Sequence, residues 1–171
     1  MDEPTLESRR EIYQLVEETP GIHFRRLLDH LEYAQGTVQY HLHQLADEGL
    51  VEVADDGKFT RYYPAGEFSE ADQAVLNALR RTYSRRVIAY LLAEGPLTTS
   101  ALSDRMEKSP STVSWHLSKL HDAGLVEKER DGASVYYSLT DPDRARTLYT
   151  VYRGSFTDRL VDRLLGLWDS Y

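Results

Sequence analysis

The stretch Ser109–Gly132, SPSTVSWHLSKLHDAGLVEKERDG, decides the fold. Ser109 is a helix cap whose side-chain oxygen accepts an orphan backbone N–H, and Pro110 suits the first helical position. Val113, Leu117 and Leu120 recur at helical spacing and give a one-sided apolar stripe. Gly124 ends the helix, because glycine tolerates the left-handed conformation a helix C-terminus needs. Leu125-Val126 opens an extended run, Asp131-Gly132 signals a hairpin turn, and Val135-Tyr136-Tyr137 starts the return strand. The face away from the stripe carries Ser111, Thr112, Ser114, Trp115, Ser118 and Lys119. Small hydroxyls, an indole and a cation suit phosphates and base edges.

The same skeleton occurs earlier in the chain. At an offset of 75 residues, without gaps, Pro20–Tyr62 overlays Gly95–Tyr137, and 16 of the 43 positions are identical. The identities include Leu27/Leu102, Thr37/Thr112, Val38/Val113, His41/His116, Leu42/Leu117, Leu45/Leu120, Gly49/Gly124, Gly57/Gly132 and Tyr62/Tyr137. They fall on stripe and turn positions, so one fold is used twice. In chain order the periodicity predicts helices over 6–18, 22–31 and 37–48, then strands over 50–53 and 59–63 around Asp56-Gly57. Three helices followed by a hairpin is the winged-helix order. Ser69 is expected to cap a helix from Glu70, with Asp72 completing a capping box. Thr82–Ser84 either interrupts that helix or lies within one long helix. Thr98–Met106, the opening stretch and strands near 125–129 and 135–139 complete the second copy.

After Asp141-Pro142 the tail matches neither copy. Leu148, Val151 and Tyr152 make one apolar side, and Gly154-Ser155 reads as a break. Phe156, Leu160, Leu164 and Trp168 then step by four, joined by Val161 and Leu165. This stripe either packs back on its own domain or pairs two chains as a dimer helix. The expected fold is mainly α with small β wings. Its domains are residues 1–64 and 70–140, two tandem winged helices, with a linker over 65–69 and dimerisation helices over 141–171.

Composition narrows the function. No apolar run approaches the roughly 18 residues a membrane span needs. The acidic start, MDEPTLESRREIYQ, is no secretory signal, and a cytoplasmic, nucleoid-associated protein is expected. There are no cysteines, which excludes disulfides, thiolate metal sites and thiol redox sensing. Net charge is −8, against the basic footprint usual in DNA binders. The acidity is local: residues 1–66 hold 6 Lys/Arg and 13 Asp/Glu, 67–140 hold 9 and 10, and 141–171 hold 5 and 5. Abundant acid with only four lysines reads as a halophilic surface adapted to high salt, or simply as that of an acidic protein. No phosphate-binding glycine loop, dinucleotide fingerprint or nucleophile elbow occurs, so an enzyme is not expected.

The run TVSWHLSKLHDAGLVEKERDG followed by VYYSL resembles the winged helix-turn-helix of ArsR- and MarR-type prokaryotic regulators. The matching features are the hydroxyl-rich helix start, His116-Leu117, Leu120, Ala123-Gly124-Leu125-Val126 and a wing ending in paired tyrosines. The first copy, PGIHFRRLL…GTVQYHLHQLADEGLVE, looks like the archaeal variant, and together they resemble archaeal regulators with tandem winged helices. Over about residues 6–140 the resemblance implies a sequence-specific double-stranded DNA-binding transcription regulator, working as a homodimer through its C-terminal helices. Two recognition helices would then reach half-sites about 34 Å apart. Metal sensing does not carry over, since the cysteines are missing; no cofactor or metal is expected, and no effector is indicated.

In the second copy the resemblance places Ser111, Thr112, Ser114, Trp115 and Lys119 in the groove, with Lys128, Arg130, Ser134 and Tyr136 on the wing. In the first copy the equivalents are Thr37, Gln39, Tyr40 and His43, with Lys58 and Arg61 on the wing. That helix has no Lys or Arg and ends in Asp47-Glu48, so packing or partner binding competes with base reading there. A scaffold in a transcription or chromosome-organising complex is the rival for the whole chain. His41 and His116 are expected to support the fold near the wing, being poorly spaced for metal. Arg80-Arg81 and Arg85-Arg86 either clamp phosphate or pair with acids of the first domain.

Overall fold

The computed structural model describes residues 5–167 and divides the chain into two units, one running to Gln73 and the other beginning at Ala74. In the first, α1 (Leu6–Glu18) precedes β1 (Ile22–His23), α2 (Phe24–His30) and α3 (Gln35–Asp47). Strands β2 (Val51–Asp55) and β3 (Thr60–Pro64) close an antiparallel sheet in the order β1-β3-β2. Ile12, Val16, Leu27, Val38, Leu42 and Leu45 form the core beneath it. The sequence expectation ran a helix through Ile22-His23. These residues instead pair with Tyr62 and Arg61, because the N–H of Gly21 bonds the Tyr62 carbonyl at 2.8 Å and holds the chain extended. Gly21 sits at φ +88, where a Cβ would meet the Tyr63 hydroxyl at 3.1 Å, so both conformation and space require glycine.

After α4 (Glu70–Leu79), which begins with Ser69 accepting the Asp72 N–H at 3.1 Å, the second unit repeats the order. It has α5 (Thr82–Glu94), α6 (Thr99–Met106), α7 (Pro110–Asp122), β4 (Val126–Asp131) and β5 (Ser134–Leu139). The strand corresponding to β1 is reduced to a bridge between Leu97 and Tyr137. The break between α4 and α5 falls at Arg80-Arg81, and Thr82–Ser84 opens α5 rather than interrupting a helix. Arg85 explains the position: its guanidinium donates to the Leu79 carbonyl at 2.8 Å and so satisfies the end of α4.

The tail comprises α8 (Pro142–Val151), α9 (Arg153–Phe156) and α10 (Arg159–Leu164). Gly154-Ser155 lies inside α9; the breaks come at Tyr152 and at Thr157, whose φ is +50. The expected four-residue stripe is therefore not one helix face. Phe156, Val161 and Leu165 are buried, and α10 and α8 pack on α5 of their own unit. Trp168 lies outside the described residues. No helix among the described residues is long and apolar enough to cross a membrane.

A buried polar network fastens the tail. Asp158 accepts from Arg85 Nε at 2.9 Å and Arg86 Nε at 3.3 Å, and caps α10 through the Val161 N–H. Burial acts to raise its pKa, but the two arginines and the capping N–H outweigh that and hold it below the ordinary carboxylate range. Tyr149 donates to Asp162 at 2.6 Å and stacks on Phe156. Arg80 donates to Ser155 at 2.6 Å and lies over the Phe156 ring. Arg80, Arg85 and Arg86 thus serve the tail of their own unit.

Removing one partner of a buried ion pair costs about 3–5 kcal/mol, because the other charge stays desolvated. Asp158→Ala is therefore expected to destabilise the second unit by about 3 kcal/mol in urea titration, while the exposed Arg159→Ala shifts it by less than about 0.5 kcal/mol.

Candidate nucleic-acid interface

Helix α7 is built from its cap outward. Ser109 accepts the Thr112 N–H at 3.3 Å, and its hydroxyl meets those of Thr112 and Ser111 at 2.8 and 3.2 Å. The tight turn from α6 uses Glu107 in the left-handed region, φ +54, and the Ser103 hydroxyl donating to the Lys108 carbonyl. Val113, Leu117 and Leu120 are buried, so Ser111, Thr112, Ser114, Trp115, Ser118 and Lys119 all face solvent. Trp115 is 59% exposed, and the Lys119 ammonium lies 5.4 Å from its ring centre.

The wing divides its candidates. Lys128 pairs with Tyr137 and Arg130 with Val135, whereas Glu129 pairs with Tyr136 and Asp131 with Ser134. Directly paired residues share a face of an antiparallel ribbon. Lys128 and Arg130 therefore stand on one face, and Ser134 and Tyr136 on the other beside two acids. All four are exposed. Of the four, the two cations stand together on one face.

In the first unit Gln39, Tyr40 and His43 are exposed on α3, and His43 lies 3.3 Å from Asp47. Lys58 is exposed at the wing turn, its ammonium 5.3 Å from the Phe59 ring centre. Two candidates are corrected. Thr37 is buried on the core side of α3, although Thr112 at the equivalent position is exposed. Arg61 is 1% exposed and cannot meet a phosphate: it donates to Asp56 at 2.5 Å and to the Gly21 carbonyl at 2.7 Å. It acts as an internal clasp between β1 and the wing turn.

The histidines also sit away from their expected place. His41 Nε2 meets the Ser8 hydroxyl of α1 at 2.8 Å, and the His116 ring stacks on Tyr83 of α5 at 3.8 Å. Neither is supported from the wing. Burial lowers both pKa values, with Arg9 and Arg81 adding to the effect. Tyr83 was missed as a site-supporting residue, though the 75-residue offset places it opposite Ser8. Among the described residues no group of three or more His, Cys, Asp or Glu side chains could hold a metal ion.

Family models match both halves of the chain. A model described as an N-terminal HTH domain matches residues 6–76, and one described as a bacterial regulatory protein of the arsR family matches 83–128. The HTH-type transcriptional regulator NmtR of Mycobacterium tuberculosis is 37% identical over 82 residues, covering 47% of this chain and 68% of NmtR. The chain belongs to the ArsR family. It carries two helix-turn-helix domains in tandem, as an ArsR-like regulator with archaeal relatives. One of these, an HTH-type transcriptional regulator of Methanocaldococcus jannaschii, is 27% identical over 135 residues. That match covers 79% of this chain but only 34% of the relative's length. The solved structure of HlyU from Vibrio cholerae aligns with a TM-score of 0.44 at 26% identity, covering 52% of this chain and 95% of HlyU.

The Arg61–Asp56 clasp of this ArsR-family chain yields a pH-dependent prediction. Burial pushes the Asp56 pKa up, but Arg61 and the N–H groups of Phe59 and Lys58 prevail and bring it down to about 2. A depressed carboxyl stabilises the fold above its unfolded pKa and loses that contribution as pH falls through the folded value. First-unit stability should therefore decline between about pH 4 and pH 2. Arg61→Gln should lower it by about 3 kcal/mol at neutral pH in chemical denaturation.

Proposed function

We propose that the chain regulates transcription by binding double-stranded DNA through the second unit. The exposed face of α7 enters the major groove while Lys128 and Arg130 hold the adjacent backbone. The observation that carries this reading is the exposed set on α7, a run of hydroxyls with an indole and an ammonium above a fully buried stripe. Its composition suits base edges and phosphates in an otherwise acidic protein. Ser134 and Tyr136 would touch DNA only where the wing tip enters a groove, since they face away from the basic pair.

The first unit has a lesser role in this reading. Gln39, Tyr40, His43 and Lys58 are available to a partner. But α3 has no Lys or Arg, and the wing arginine is internal. The concentration of acid in residues 1–66 favours contact with a protein over a phosphate backbone. Two half-sites one helical turn apart require two copies of α7 and hence a pair of chains. The tail stripe is largely buried in its own unit, with Val151 as an exposed apolar residue of α8. Pairing through the C-terminal helices would use the surface they leave exposed, Val151 included.

Gel retention on genomic fragments over a salt series tests the proposal. The full chain should shift DNA, with log affinity falling linearly against log salt. Lys119→Ala, Lys128→Ala and Arg130→Ala should each reduce the slope by about 1. An unchanged slope in the triple variant would remove this face from DNA contact. Stoichiometric capture of a protein with no DNA retention would favour the scaffold.

A further inference from the structure

Trp115 is an exposed side chain set against a second, braced ring. Its ring meets His116 edge-on at 4.9 Å and 88°, and His116 in turn stacks flat on Tyr83 at 3.8 Å and 15°. The three rings run from α5 through the helix shoulder to the solvent face of α7. Around the indole stand Ser111, Ser114 and Ser118, one turn or less away on the same face and all short. The ring therefore projects beyond its neighbours, with the Lys119 ammonium beside it as the longer companion. The first unit has the same device at the same offset. Tyr40, 52% exposed, meets His41 edge-on at 5.5 Å and 70°, and His41 is braced by Ser8. A buttressed, protruding aromatic is thus built into both copies, with a harder brace in the second.

An indole face is poorly suited to reading donor and acceptor patterns, and well suited to an apolar group. Of the base edges in the major groove, only thymine presents one, the 5-methyl. We propose that Trp115 is a specificity-determining residue that packs on a thymine 5-methyl group, and that His116, clamped against Tyr83, is a positioning residue that fixes the direction of the indole. This rests on the DNA-binding reading above and names what α7 reads.

The test uses the full chain on duplexes selected from a randomised pool. In the selected site each thymine is replaced in turn by uracil, which lacks only the methyl. At one thymine per half-site the wild-type protein should lose about four- to tenfold in affinity, the scale of one buried methyl to one good base contact. Trp115→Ala should bind the thymine and uracil duplexes equally. His116→Ala and Tyr83→Ala should shrink the ratio towards one while leaving the salt slope intact. A merely structural defect would weaken both duplexes alike. Tyr83→Phe keeps the stack and should keep the ratio. A selected site at which uracil is tolerated everywhere, or a Trp115→Ala protein that still discriminates, overturns the proposal and leaves DNA binding standing. A pool that yields no enriched sequence removes the DNA-binding reading and this inference with it.

Discussion

Burial of Val113, Leu117 and Leu120 fixes the rotation of α7, and the chemistry that helix offers depends on it. The three side chains are 0–4% exposed. Each fully buried apolar side chain of this size is worth about 1.5–3 kcal/mol, so together they match much of a small unit's marginal stability. Turning the helix by one residue's 100° would forfeit that sum. Trp115 lies two residues from both Val113 and Leu117, roughly 200° around a helix of 3.6 residues per turn. It is therefore held on the opposite side by the core, before any partner is considered.

Total charge conceals which cations the fold itself uses, and those are arginines. Arg61, Arg85 and Arg86 each serve a carboxylate, and Arg85 also closes the end of α4. A planar guanidinium with several fixed donors meets carboxylate and carbonyl together in a buried site. Lys58, Lys119 and Lys128 remain on the surface, and two of them lie over aromatic rings. An ammonium is strongly hydrated and loses more by burial. A dense arginine run in the sequence thus need not mark a free cationic patch, since Arg80, Arg85 and Arg86 serve the tail of their own unit.

Local signals made the frame legible. The first helix reads directly as Leu6–Glu18, and the Ser109 cap, Pro110 and the glycine turns place α7 and both wings to within a residue or two. Those features depend on neighbours a few positions apart. The misread places depend on distant partners. The break at Arg80-Arg81 is set by Arg85 and its bond to Asp158, 73 residues away. Residues Ile22-His23 become a strand because β3 is there to pair with them. The tail helix is interrupted where Thr157 adopts a left-handed conformation and Asp158 turns to α5, which spacing by four could not convey. In the candidate site the exposed face of α7 follows from periodicity. The burial of Arg61 and Thr37 follows from tertiary packing that periodicity omits.

The duplication separates what the frame demands from what the surface is free to choose. Most identities between copies lie on the stripe, the histidine and the turns, which set helix rotation and wing geometry. At the solvent-facing positions 36, 39, 40, 43 and 44 the second copy has a different residue every time: Gly36 against Ser111, Gln39 against Ser114, Tyr40 against Trp115, His43 against Ser118 and Gln44 against Lys119. With rotation fixed equally in both, these changes alter only what a partner meets. The supporting residue changes alongside them, Ser8 giving one hydrogen bond to His41 where Tyr83 gives His116 a whole ring. A larger exposed ring exerts more leverage on its mount, and a stacked aromatic resists tilting over a wider area than a single hydroxyl. The brace and the ring it carries thus change together between the two copies.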